Sequence, residues 1–344
     1  MKLPVFFAFI FSIHYTSANL CKEFQWSDPT LPCDPPIPVH SITVWSPHHG
    51  SSLPRIIYTN PNTSATYTIR IVTDGAFADR SPADCRVAIL SDPPAINPEQ
   101  YQSFSKADVS DQYDIVFTHN TDLISDQPSK FHSFIAGGAW VLTEHERIQS
   151  KWSDHEVTKR IHMFMDKKKK GISMLFSHKK SAAGQQFRHQ VHKQISERHP
   201  GLIDFFGTGT GKELPNKEDA LTDYAFSVII ENGKNQGNYF SGQLIDAMVS
   251  LTVPIYWGKT RFLTTTFDPD GFVFFDKLEE LDDILDVLQN QWQNIYASKL
   301  DALQCNMKTA LNREMTDLVA FRNIGYRLVD EATGQLKCGM CPGL

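Results

Sequence analysis

No part of the chain constrains the fold more than Tyr224 to Gly258. It runs Tyr-Ala-Phe-Ser-Val-Ile-Ile-Glu-Asn, a polar loop, Tyr-Phe-Ser-Gly-Gln-Leu-Ile-Asp-Ala-Met, then Val-Pro-Ile-Tyr-Trp-Gly. Both ends are short apolar, β-branched runs of the kind found in buried strands. Between them Leu244, Met248 and Leu251 recur at helical spacing behind Ser241, a good N-cap. The expected unit is strand, loop, helix, strand. A parallel pair joined by a crossover helix leaves the carboxyl ends of its strands and the amino end of its helix on one crevice. Free N–H groups and the helix dipole there favour an anion such as a diphosphate. Glu231 to Gln243 are therefore expected to line a nucleotide site, although a strand–helix–strand unit with no ligand shows the same periodicity.

The same block resembles the fucosyltransferase signature of glycosyltransferase family 10. That signature reads Tyr-Lys-Phe-Ser, Phe/Ile-Glu-Asn-Ser, Tyr-Phe/Val-Thr/Ser-Glu-Lys-Leu and Ile/Val-Pro-Ile-Tyr-Trp-Gly. Tyr224, Phe226, Ser227, Glu231, Asn232, Tyr239, Ser241 and Pro254 through Gly258 match it. The family's Glu-Lys pair is Gly242-Gln243 here. The resemblance implies an α/β protein of the GT-B class, two Rossmann-like domains facing across a cleft, the acceptor half first and the donor half second. It spans roughly residues 85–330 and is specific only from about 172 to 258.

At 344 residues and 41% hydrophobic content, the chain can form large cores and is expected to have two domains. A net charge of -6 argues against nucleic acid as the main partner. Residues 1–18 carry Lys2, an apolar run from Leu3 to Ile13 and a small-residue end at Ala18, which reads as a secretory signal. The run is short for a membrane span of about 20 residues, so a membrane enters only through an uncleaved anchor, as in the family's Golgi members. Cys21, Cys33, Cys85, Cys305, Cys338 and Cys341 all lie beyond it, an even number suited to disulfides in an oxidising compartment. Cys338-x-x-Cys341 also has the spacing of a zinc or redox pair, without the second pair or nearby His such a site needs. Asn62-Thr63-Ser64 is a glycosylation sequon.

The expected organisation is a Pro-rich lead-in at 19–40, an acceptor-side α/β domain at 41–165, a basic linker at 166–171, a nucleotide-sugar domain at 172–330 and a Cys-containing tail at 331–344. Strands are expected at Ile42 to Trp45, Tyr67 to Val72, Val87 to Leu90, Ile115 to Thr118 and Phe131 to Val141, and again from Ile172 to Ser177 and at Ile203 to Phe206. A helix is expected to begin at Phe187. Leu278, Leu281, Leu285, Leu288, Trp292 and Ile295 form a core stripe, as does Leu300 to Leu311. The run Asp166-Lys167-Lys168-Lys169-Lys170-Gly171 reads as a solvated connector.

Site residues follow partly from chemistry and partly from the resemblance. Asp92 leaves a strand in the turn Ser91-Asp92-Pro93-Pro94, where an Asp before Pro also serves simply to start a turn. The microbial and viral-type branch of the family has Glu-Pro at the corresponding place and a Thr-His-Asn/Asp element later, here Thr118-His119-Asn120. The resemblance thus implies Asp92 as the carboxylate that takes the acceptor hydroxyl's proton in an inverting transfer. It also assigns Arg188 to the donor diphosphate, a role the guanidinium fork suits, and places Asn232, Tyr239, Ser241, Gly242 and Gln243 around GDP-fucose. His119 and His145 are isolated, so no metal site is expected, and no cofactor beyond the donor substrate. The implied partners are a nucleotide sugar and a glycan.

In the family, the missing Glu holds the ribose and the missing Lys the phosphates. Two charge-assisted bonds at roughly 1.5–3 kcal/mol each correspond to about 10²–10⁴ in donor affinity. Gln243 still donates, Gly242 permits close backbone approach, and Lys234 lies in the neighbouring loop. The sequence therefore leaves two functions open: a working transferase, or a secreted glycan- or partner-binding protein that keeps the fold without the chemistry.

Overall fold

The computed structural model describes residues 42–45, 55–59, 66–73, 82–133, 138–143 and 152–312, with Ser64, Phe77 and Glu146. The expected signal, the Pro-rich lead-in, the Cys-containing tail, Gly137, His145, Asn62 and Thr63 lie outside the described residues, as do Cys21, Cys33, Cys338 and Cys341.

Two sheets, each in its own α/β domain, give the arrangement expected of GT-B. The first comprises β1 (Ile42–Trp45), β2 (Arg55–Thr59), β3 (Thr66–Thr73), β4 (Cys85–Leu90), β5 (Ile115–Thr118) and β6 (Phe131–Ser133), in that spatial order. The β1–β2–β3 part is antiparallel and the β3-to-β6 part parallel. Helices α1 (Pro98–Phe104) and α2 (Ala107–Ser110) connect β4 to β5, and α3 (Thr121–Asp126) connects β5 to β6. Val72, Leu90, Phe104, Val116 and Phe131 close the core beneath them.

Four of the expected strands are present here, while β2 was not foreseen. The strand expected from Phe131 to Val141 ends at Ser133. By Val141 the backbone has left the sheet for the second domain, where its N–H donates to the Asp246 carboxylate at 3.1 Å. Ala139, Leu142, Trp152, and Val157 and Phe164 of α4 (Asp154–Met165) then bury in the second core. A capping box fixes the start of α4: Ser153 accepts from the Glu156 N–H at 3.3 Å, and the Glu156 carboxylate accepts from the Ser153 N–H at 2.8 Å.

The second sheet is wholly parallel, ordered β8 (Ile203–Phe206), β7 (Lys170–Leu175), β9 (Tyr224–Ile229), β10 (Val253–Trp257) and β11 (Val273–Phe275). Numbered within the domain this is 2-1-3-4-5, a doubly wound order whose direction reverses between β7 and β9. Helices α5 (Ala183–Arg198), α6 (Gly242–Val249), α7 (Arg261–Thr266) and α8 (Leu278–Asn312) complete it. All six residues of β9 are buried, as a central strand covered on both faces requires. The two apolar stripes of the C-terminal region form one helix, α8, which buries Leu281, Leu285, Leu288, Leu303 and Met307. Tyr296 on it donates to the Leu251 carbonyl at 2.9 Å.

Asp166, Lys167, Lys169 and Lys170 of the basic run are exposed as a solvated connector would be, but Lys168 is not. β7 already begins at Lys170, and the Lys168 amine donates to Leu221 O at 3.0 Å, Ser250 O at 2.7 Å and Thr252 Oγ1 at 2.8 Å. Burial pulls its pKa well below the usual lysine value, with Asp223 opposing. Replacing it removes three bonds to acceptors on buried residues. Lys168→Met is expected to lower the urea-unfolding free energy by about 2–3 kcal/mol; an unchanged midpoint and slope would place the amine in solvent.

Candidate active site

In a doubly wound sheet the ligand crevice lies beyond the strand carboxyl ends at the reversal point. Here that is the gap between the β7 exit, Phe176 to Ser181 leading into α5, and the β9 exit, Ile230 to Asn232. Gly184, at the start of α5, donates its N–H to the Asn232 carbonyl at 3.0 Å. A Cβ at 184 would fall inside the Glu231 carbonyl, so only glycine lets the helix come this close. Ala182 cannot cap the helix with a side chain, and Gln185 substitutes by accepting from Ser181 N at 3.0 Å and Ala182 N at 3.2 Å.

One turn on, Arg188 lies buried at 7% exposure. Its Nε donates to the Ile230 carbonyl at 2.7 Å, and its Nη2 donates to that same carbonyl and to Asn232 Oδ1 at 3.3 Å. Burial lowers its pKa while Glu231 and Tyr239 act to raise it, and a guanidinium stays charged throughout. Arg188 thus braces the β9 exit from one side.

Glu231, 3% exposed, braces it from the other. Its Oε1 accepts from Ser241 N at 2.9 Å and from the Tyr256 hydroxyl at 3.0 Å. Among the described residues its Oε2 has no hydrogen-bond partner. Ser241 caps α6 as expected, accepting from Gln243 N at 3.3 Å. Gly242 faces residues from the first half of the chain: an added Cβ would lie 2.5 Å from the Gly138 carbonyl oxygen and 2.7 Å from Cδ1 and Nε1 of Trp140. Asp246, fully buried in α6, anchors that turn through Val141 N and pairs with Lys217. Trp140 remains 59% exposed beside the α6 tip.

The loop between β9 and α6 also meets the first domain directly. Gln236 Oε1 accepts from Ala95 N at 3.2 Å, and Asn238 N donates to the His119 carbonyl at 3.0 Å. Gly237 takes φ +67 there, with the position of a Cβ only 2.6 Å from His119 O. The Tyr239 ring stands 4.8 Å from the His119 ring. Tyr101 OH donates to the Asp92 carbonyl at 2.6 Å and lies 3.3 Å from His119 Nε2. The Tyr239 phenol is pushed up by burial first, then by Glu231 and Asp92, with Arg188 opposing. Tyr239 therefore feels Asp92 of the first domain as well as Glu231 and Arg188 of its own.

The structure gathers the expected residues Asp92, Arg188, Asn232, Tyr239, Ser241, Gly242 and Gln243 along this one seam. Lys234 is engaged elsewhere, paired with Asp276 Oδ1 at 2.6 Å and lying over the Trp257 ring. Among the described residues no cluster of His, Cys, Asp or Glu could hold a metal ion. Sequence reasoning gave Tyr101 and Asn97 no role, and took His119 only as part of the Thr118-His119-Asn120 element and as an isolated, non-metal His. The one available signal was their spacing after the Asp92 turn.

Residues 165–298 match the family described as glycosyltransferase family 10 (fucosyltransferase), C-terminal. An alpha-(1,3)-fucosyltransferase, FucT of Helicobacter pylori, is 33% identical over 79 residues, which is 23% of this chain and 16% of that one. This chain therefore aligns with less than a fifth of that relative's length. Among solved structures, Anabaena HepE in complex with UDP and glucose shows a TM-score of 0.45 at 13% identity over 71% of each chain. TarM shows 0.46 at 9% identity over 79% of this chain and 63% of its own. Likeness at that level carries nothing about ligand or reaction. Residues 165–298, which carry Asn232 at the β9 exit, Ser241 at the α6 tip and the Pro254–Gly258 end of β10, are thus similar to the C-terminal domain of glycosyltransferase family 10.

Proposed function

We propose that the protein is a fucosyltransferase-type glycosyltransferase that moves fucose from GDP-fucose to a glycan hydroxyl with inversion. The observation that carries this reading is the convergence, at the reversal point of the matched domain, of the capped α6 tip, Arg188 and a carboxylate from the other domain, Asp92. The donor's diphosphate is assigned to the α6 amides and Gln243, with Arg188 supplying positive field from behind the β9 exit. Asp92 accepts the proton of the acceptor hydroxyl as its oxygen bonds to the anomeric carbon. The bond from that carbon to the diphosphate breaks on the opposite face, so GDP leaves with the electron pair and the configuration inverts. The reading also places the chain in the secretory pathway, with residues 1–18 as a signal or a Golgi anchor.

A second reading, a glycan- or partner-binding protein without turnover, draws on Gly242 being wedged against Gly138 and Trp140 and on Arg188 donating to a carbonyl of its own chain. Calorimetric titration separates the two. The transferase reading expects GDP and GDP-fucose to bind in the micromolar range and UDP far more weakly. No heat with either guanine nucleotide would leave the binding-protein reading standing.

A further inference from the structure

Asn97 occupies the N-cap position of α1 yet caps nothing: its side chain makes no bond to the helix N–H groups. An Asn there usually accepts from the first turn, a contact worth about 1 kcal/mol. Its amide instead turns back, and Nδ2 donates to Asp92 Oδ2 at 3.1 Å. The intervening turn is built for this return. Ile96 N and Asn97 N both donate to the Pro93 carbonyl, at 2.8 and 3.2 Å, and Pro98 at the helix start needs no N–H partner. One helical turn further, Tyr101 holds the Asp92 main-chain carbonyl at 2.6 Å. The backbone and the side chain of Asp92 are thus clamped by two residues of one short segment.

We propose that Asn97 is a positioning residue for Asp92, its side-chain amide fixing the rotation of the carboxylate and so the direction in which the proton-accepting oxygen faces. The proposal rests on the reading of Asp92 as the base. Other polar groups near that turn include the Tyr101 hydroxyl on the Asp92 main chain, His119 beyond the β5 exit, and Tyr239 from the second domain with Glu231 and Arg188 behind it. Amide donation favours the charged form of a carboxylate, so removing it raises the pH needed to ionise the base.

The test compares Asn97→Ala, Asn97→Asp and Asp92→Asn with the wild type. GDP release from GDP-fucose is followed with N-acetyllactosamine as acceptor across the acidic limb, together with GDP affinity, the thermal midpoint, and an NMR titration of the Asp92 carboxyl carbon assigned from Asp92→Asn. Asn97→Ala is expected to lower kcat about tenfold and move the acidic limb up by about one pH unit, leaving GDP affinity and the midpoint in place. Asn97→Asp, nearly isosteric but bringing a second negative charge, is expected to be the more severe. A purely structural role predicts the reverse order and no movement of the limb or of the carboxyl titration, and either result overturns the proposal. Wild-type turnover in Asp92→Asn would instead remove the base itself, a failure the carboxyl titration of Asn97→Ala distinguishes.

Discussion

Asp92→Asn is expected to reduce turnover about 10²–10⁴-fold, the range for losing a positioned general base, with GDP affinity and thermal midpoint unchanged. The substitution is nearly isosteric. Its carboxamide oxygen can still accept from Asn97 Nδ2, and the Tyr101 bond goes to the main chain, so the turn after β4 keeps its contacts. What disappears is the negative charge proposed to take the proton, which also helps push the Tyr239 phenol up. Asp92→Glu, one methylene longer, is expected to retain part of the rate because the carboxylate remains while its approach of about 2.6–3.2 Å is disturbed. Single-turnover release of GDP, with binding measured separately, isolates the chemical step. Full turnover in Asp92→Asn would assign the proton to another group.

Much of the second domain was legible because its signals are local. The largely apolar, β-branched runs at Tyr224–Ile229 and Val253–Trp257 read as buried strands, and Ser241 in front of a helical stripe marks the start of α6 to the residue. The first domain was less legible. Its strands β1 and β3 to β5 were read, but a helix as short as α2 leaves little periodicity to count, and the apolar run after Ser133 leaves the sheet for a tertiary reason.

What the sequence left out has one cause: local pattern reports that a face is covered without saying by what. Lys168 sits in a run of four lysines, yet its partners come from 53 to 84 residues away. For Arg188, expected at a diphosphate from its motif, nothing nearby in sequence shows that the carbonyl of Ile230, 42 residues on, takes two of its donors, a contact that leaves the expectation itself open to test. For Asn97, placed before Pro98 at the start of α1, no local pattern shows that its side chain turns back to Asp92 rather than capping the helix.

Gly242→Glu illustrates the point most sharply, since it restores the residue usual in the family and is nonetheless expected to weaken the protein. A Cβ at 242 meets the Gly138 carbonyl oxygen at 2.5 Å and the Trp140 indole at 2.7 Å. The indole can turn aside, but a main-chain carbonyl cannot, because its turn is tied to α6 by Val141 N on Asp246, and Asp246 is itself paired with Lys217. Forcing the turn away costs about 3 kcal/mol, at the upper end of ordinary overpacking. A carboxylate in the first turn of a helix returns only about 0.3–1 kcal/mol through the dipole. The new charge would also stand next to Glu231, whose carboxylate already holds Ser241 N. Urea unfolding is expected to show the loss, Gly242→Ala should show most of it without the charge, and calorimetry should find GDP bound more weakly. Gln243→Lys is the contrasting case: position 243 is half-buried rather than wedged, and a cation there is expected to tighten GDP about tenfold. Wild-type stability in Gly242→Glu, together with tighter GDP binding, would mean that the turn carrying Trp140 swings clear of the α6 tip in solution.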